Sequence, residues 1–153
     1  MIDQTTRRVL RGETVPADEK VYSLFEPHTA LIKRGKAYKP VEFGHKVFLA
    51  ESRRGLITDY RVLAGNPPDR EQLEPSVTRH RARFGSVPTL YAADRGFHDR
   101  EACARVAAQG VTLVAIPQCG GTKTAERQAH ERSRAFKQAQ AFRAGIVELA
   151  SPL

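Results

Sequence analysis

The sequence predicts an α/β fold, a mixed sheet with helices flanking it. Three observations predict it. Two runs rich in β-formers, Lys46-Val47-Phe48-Leu49-Ala50 and Leu56 to Ala64, surround the short turn Arg53-Arg54-Gly55 and read as an antiparallel hairpin. Beyond the hairpin, segments of helical period alternate with short apolar runs, the order that lays strands parallel. The chain has 153 residues and is 41% hydrophobic, enough to bury the core of one domain.

Residues 1–20 are polar, contain Gly12 and Pro16, show no period and read as a loose arm. Lys20 to Phe25 reads as a strand closed by Glu26-Pro27. Residues 29–40 are basic, contain Gly35 and Pro40, and read as an exposed loop. The hairpin follows and is closed by Gly65-Asn66-Pro67-Pro68. Asp69 reads as a helix N-cap, with Leu73, Val77, His80 and Phe84 at helical spacing and Gly85 as the stop. Pro75 is tolerable only in a first turn, which allows a later start than Asp69. Thr89 to Ala93 reads as a short buried strand that stops at Asp94, with Gly96 two residues on. A helix from about Asp99 to Gln109 turns Ala102, Cys103, Val106 and Ala107 inward, with Gly110 as its C′ residue. Val111 to Ile116 is another strand, ended by Pro117, and Cys119 to Lys123 is a loop. A basic helix occupies about residues 125–148.

The net charge is +8 and the sequence pI is about 9.9. That balance favours a polyanionic partner, most simply nucleic acid, over a merely soluble basic surface. The charge is clustered in Lys33, Arg34, Lys36, Lys39 and Lys46, and again in Arg127, Arg132, Arg134, Lys137 and Arg143. Phosphate contacts of this kind give salt-dependent affinity without reading sequence. No apolar stretch approaches the length that spans a bilayer, so no membrane partner is expected and the chain reads as cytoplasmic, nucleoid-associated when bound to DNA. Cys103 and Cys119 are not at metal-ligand or redox spacing, and Cys103 reads as a small buried hydrophobe.

Asp94 carries the sharpest chemical signal. In open α/β sheets, ligands bind beyond the carboxyl ends of the strands. A carboxylate fixed at such an end, beside a glycine, is well placed to hold a metal ion. The alternative is an Asp that caps a turn by accepting from backbone amides. Two-metal chemistry on phosphodiesters needs several carboxylates, and Glu148 on the last helix is the candidate for a second. The loop Gly120-Gly121-Thr122-Lys123-Thr124 lacks the spacing of a phosphate loop. His28, His45, His80, His98 and His130 share no zinc spacing; His80 reads as structural, and His45 beside Lys46 is a candidate phosphate contact.

Five strings in register carry a resemblance. They are Tyr22-Ser23-Leu24-Phe25-Glu26-Pro27-His28-Thr29, Phe43-Gly44-His45-Lys46-Val47, Gly65-Asn66-Pro67-Pro68-Asp69, Ala92-Ala93-Asp94-Arg95-Gly96-Phe97 and Phe142-Arg143-Ala144-Gly145-Ile146. In that order the chain resembles bacterial insertion-sequence transposases of the Asp-Asp-Glu type over nearly its whole length. The resemblance implies a ribonuclease H-like fold, a five-stranded mixed sheet with flanking helices. It also implies DNA cleavage and strand transfer at transposon ends, assisted by magnesium or manganese. Asp94 matches the second catalytic Asp, and Arg143 matches the Arg that precedes the catalytic Glu and touches phosphate.

The chain departs from the family in two places. The family's first Asp lies on a strand upstream of the Ser23 region, and neither Asp3 nor Asp59 fills its role. The family's Glu follows Arg-Ala-Gly-Ile directly, where this chain has Val147 and then Glu148. One residue on an α-helix is a rotation of about 100°. The expectation is an incomplete ribonuclease H-like fold without the first strand, with a loose arm over 1–20 and a partial transposase catalytic domain over 21–153. Asp94 and Glu148 are the catalytic and metal-ligand candidates. His45, Lys46, Arg134, Lys137 and Arg143 are the DNA-binding candidates. The isolated chain is expected to be inactive. The missing strand is expected to leave a sheet edge exposed. A homo-oligomer, or a full-length transposase that the chain joins, is a candidate partner. A non-catalytic basic nucleic-acid-binding protein, or an inhibitory partner of a full-length transposase, is the alternative.

Overall fold

The computed structural model describes residues 2–16, 19–25, 29–33 and 41–149. It divides into two compact units, Met1–Val47 with Val62–Pro67, and Phe48–Arg61 with Pro68–Leu153.

In the first unit, α1 (Ile2–Thr5) runs into a π-helical stretch, Thr6–Leu10, so the expected loose arm opens on helix. Arg7 fixes the chain that follows by pairing with Glu13 at 3.0 Å and Glu19 at 2.7 Å. No strand forms over Lys20 to Phe25. The Val21 amide there donates to the Gln4 side chain at 2.8 Å, and Phe25 is 94% exposed. The segment expected as a loop instead begins with β1 (Ala30–Lys33), paired antiparallel with β2 (Val41–Gly44) in the register Ala30↔Gly44 to Lys33↔Val41. Ala-Leu-Ile-Lys has the apolar character of a strand, and the basic residues that suggested a loop, 34–40, lie outside the described residues.

The expected hairpin forms from β3 (Lys46–Glu51) and β4 (Ile57–Leu63). Its turn is closed by the Ser52 amide on the Leu56 carbonyl at 2.8 Å. Gly55 takes a φ of +78°, which a side chain would resist.

In the second unit, Asp69 is not the N-cap of the following helix. It opens a 3-10 turn, Asp69–Gln72, which leads into α2 (Leu73–Phe84). Pro75 thus falls in the first turn of α2, where its missing N–H costs nothing. Gly85 ends α2 with φ +77° and an amide bond to the Arg81 carbonyl at 2.8 Å. The chain then forms β5 (Leu90–Ala92), crosses through α3 (Arg100–Ala108) and returns as β6 (Leu113–Ala115), parallel to β5 with Leu90↔Leu113 and Ala92↔Ala115. Asp99 caps α3 by accepting from the Ala102 amide at 2.8 Å. Ala102 and Val106 are buried as expected, but Ala107 is exposed.

The two faces of the β5–β6 ladder are covered differently. Leu73, Val77, Ala93, Ala102, Val106, Val111 and Ile116 form one core with α2 and α3. Ala115, Phe136 and Ala139 form the other with the last helix. That last helix was expected to be continuous over 125–148. It is two helices, α4 (Ala125–Arg132) and α5 (Arg134–Leu149). Ser133 breaks it by taking an extended ψ of 148° and accepting from the Phe136 amide at 3.2 Å.

The α/β class therefore holds, and the later strands are parallel. The single mixed sheet is not found. Among the described residues the strands form three separate two-stranded ladders, β1–β2, β3–β4 and β5–β6.

Candidate functional site

Within the second unit a cleft of about 1000 Å³ is walled by β3 and the start of β4, by α2, by β5 and by α5. Asp94 stands at its rim, immediately beyond the carboxyl end of β5. It is exposed and half engaged. Its Oδ1 accepts from the Gly96 amide at 2.7 Å and so holds the 3-10 turn Arg95–Phe97. Its Oδ2 accepts from none of the described residues. The turn-capping role and an open oxygen thus coexist in one side chain. Gly96 is required here, because a Cβ would lie 2.7 Å from Asp69 Oδ2 and 3.0 Å from Asp94 Oδ1.

Arg143 lines the same cleft from α5, its Nε donating to Gln140 Oε1 at 3.2 Å. Gln140 in turn donates to the carbonyl oxygens of Ala93, at 3.0 Å, and of Ala115. One amide side chain therefore ties α5 to the ends of both parallel strands and sets the height of Arg143 above them. Asp94 and Arg143 are the two expected site residues that the cleft brings together.

The other expected residues are placed elsewhere. Glu148 lies in the last turn of α5, and its side chain lies outside the described residues. Ala135, Gln138, Ala139, Phe142 and Arg143 are the α5 positions that line the cleft. Arg134 and Lys137 are exposed on α5 and lie outside the cleft lining. His45 and Lys46 belong to the first unit. The Lys46 ammonium donates to the Pro67 carbonyl at 2.6 Å, which ties the hairpin base to the segment that leaves it.

The sequence does not reveal that Asp59, set aside as a counterpart of the family's first Asp, pairs with Arg79 in the lining of the cleft. Asp59 on β4 is only 7% exposed, and its Oδ2 accepts from Arg79 Nε of α2 at 2.6 Å. Arg83 adds a second contact to Asp59 at 3.8 Å and donates to the Thr58 carbonyl. Arg79 also lies 5.4 Å over the Phe48 ring, yet its Nη2 is buried and has no hydrogen-bond partner among the described residues. The signal was present: an Asp at an inward position of a strand demands a cation. Beside it, Ser76 spends its proton on the Leu73 carbonyl at 2.7 Å, so the Tyr91 hydroxyl, 2.8 Å away, must donate to Ser76. Burial pushes the Tyr91 phenol up to about 12, keeping it neutral. His80, which also lines the cleft, is pulled below its ordinary value by burial.

A different network governs the glycine loop. Burial alone would raise the Glu131 carboxyl, but bonds from Lys123, from the Gln118 amide at 2.8 Å and from Arg127 at 2.9 Å outweigh it and hold it at about 2. Lys123, the cation a phosphate loop would need, is thereby committed to Glu131, in agreement with the spacing argument against nucleotide binding.

Magnesium and manganese take oxygen ligands. Among the described residues no three His, Cys, Asp or Glu side chains come close enough to hold a metal ion together. The open oxygen of Asp94 suits such an ion, but the described residues do not complete a two-metal site. No helix of the described residues is long and apolar enough to cross a membrane. Compared with family models, with curated proteins and with solved structures, the chain matches none.

Proposed function

We propose that this chain is part of a ribonuclease H-like DNA transposase catalytic domain of the Asp-Asp-Glu type. Its lineage chemistry is cleavage and strand transfer at transposon ends. The observation that carries this reading is Asp94: an exposed carboxylate just past the end of a parallel strand, one oxygen fixed by Gly96 and the other open, on a cleft shared with Arg143. A divalent ion bound in a complete site of this class would stabilise the charge on the reacting phosphate. Asp94 would contribute one oxygen to it. Arg143, held by Gln140, would orient a DNA phosphate. On this reading the chain by itself binds DNA without cutting it.

The test pairs metal with DNA. Magnesium titration of the chain is expected to move the backbone amides of Asp94 and Gly96 saturably in the millimolar range. Asp94→Asn is expected to abolish those shifts while leaving DNA affinity within about twofold. Absence of metal-dependent shifts in folded protein would overturn the metal role of Asp94.

A second reading is favoured by the exposed Arg134 and Lys137 on α5 and by the +8 charge. In it the chain binds nucleic acid through that surface and holds no metal. Unchanged DNA affinity together with a silent Asp94 would select it.

A further inference from the structure

We propose that the cleft is a strand-accepting slot, whose ligand is an extended polypeptide segment of alternating apolar and acidic residues. This inference does not rest on the phosphodiester reading. It rests on how the cleft is walled. Its lining includes the consecutive runs Phe48 to Arg53 and Pro88 to Asp94. A sheet face would contribute alternate residues, whereas a strand contributes consecutive ones only when it presents its edge.

The hydrogen bonds identify which edges these are. On β5, the Thr89 carbonyl accepts from the Leu113 amide at 3.1 Å, and the Ala93 amide donates to Ala115 at 3.4 Å. Odd-numbered residues therefore aim their backbone groups at β6, and Leu90 and Ala92 aim theirs the other way. On β3, the Ala50 carbonyl accepts from the Thr58 hydroxyl at 3.2 Å, and the Ser52 amide bonds to Leu56 across the turn. Even-numbered residues face β4, and Leu49 and Glu51 face away. Among the described residues β3 pairs only with β4, and β5 only with β6. Two edges with unfilled backbone groups thus border one cleft, and one extended chain can bond to both.

The side walls specify the occupant. Leu49 is 44% and Leu90 41% exposed, although both sit in strands beside the cleft. With the half-buried Phe142 of α5 they give the cleft an apolar wall. The opposite wall, from α2, holds Arg79 with its unbonded, buried Nη2, and Arg83 beside it. Four arginines line the cleft against three carboxylates, an excess of one positive charge, and Arg79 and Arg83 share a single carboxylate, Asp59. Successive residues of a strand point to opposite faces. A guest strand therefore sets apolar side chains on the α5 wall and carboxylates on the α2 wall.

The probe is a blocked heptapeptide of alternating valine and aspartate, titrated into the intact chain with amide exchange followed by NMR. Binding is expected to slow exchange of the Leu49, Glu51, Leu90 and Ala92 amides at least tenfold. The same peptide N-methylated at every second residue is expected to bind at least tenfold more weakly. Replacing aspartate by asparagine in the peptide is expected to weaken binding to the natural chain by a similar factor, and to change nothing for Arg79→Gln. If Arg79→Gln does not fold, the aspartate–asparagine comparison on the natural chain decides. No binding at millimolar peptide overturns the proposal, as does binding that leaves those four amides unprotected. So does protection of the four amides in the free chain that is lost on dilution, which would assign the slot to a second copy.

Discussion

Gly96 has two carboxylates, from Asp69 and Asp94, against the position a Cβ would take. A methyl group there must displace one of them, and the turn that positions Asp94 is the part with least freedom. Gly96→Ala is expected to cost roughly 1–3 kcal/mol in urea unfolding, the range of overpacked sites. Asp69→Ala in the same background is expected to recover part of it, because it removes the nearer oxygen. A null effect of Gly96→Ala would mean that the Asp94 turn is looser than its 2.7 Å bond suggests. Asp59 is the second residue of this kind. It lies in the middle of β4 and is the buried anion on which Arg79 and Arg83 converge. Removing one member of a buried pair leaves the other uncompensated. Asp59→Ala is expected to cost about 3–5 kcal/mol, and Asp59→Val with Arg79→Leu much less. A double-mutant cycle measures the coupling; a sum of independent effects would refute it.

Elements are joined here by single polar side chains as much as by apolar packing. Gln140 clamps α5 onto the ends of β5 and β6, and Glu131 of α4 clamps the loop at Gln118 and Lys123. The Glu131 clamp makes a signed prediction about pH. Its carboxyl lies at about 2 in the fold against an ordinary value of 4.5. A depressed carboxyl contributes stability that is fully present above the ordinary value and is lost as pH falls through the folded one. Stability is thus expected to decline between about pH 4.5 and 2. Glu131→Gln is expected to cost roughly 2 kcal/mol at neutral pH, after allowance for partial exposure, and to flatten that decline. Urea midpoints of both proteins across the range check it. Equal slopes would place the acid sensitivity elsewhere.

Over the whole molecule, the positive charge is the property with the longest reach. A chain of net charge +8 is expected to bind duplex DNA with an affinity that falls steeply with salt, and with no preference among random sequences. Arg134→Ala with Lys137→Ala is expected to reduce the slope of log affinity against log salt by about 2 if both touch phosphate. An unchanged slope would move the DNA surface off α5. The expected single sheet is the main difference at this scale. Among the described residues three two-stranded ladders leave strand edges open, and two of those edges border the cleft that Asp94 also lines.

The sequence by itself determined the features that depend on near neighbours. The hairpin, the positions of Gly85 and Gly110, a helix starting near Asp99 and the alternation of strand and helix after residue 85 were all legible. Each follows from turn chemistry or periodicity within a few residues. Asp94 was legible for the same reason, as a carboxylate at a strand end. Only the tertiary structure decided that Asp59 would be buried against Arg79, 20 residues away, and that Gln140 would hold Ala93, 47 residues away. It also decided that Ser133 would split a segment of unbroken helical composition and that Ala30 to Lys33 would find a strand partner. These outcomes turn on which distant groups meet. A local pattern can state that a buried carboxylate or an unpaired strand needs a partner, but only the packed chain supplies one, as it does for Asp59 and for β1.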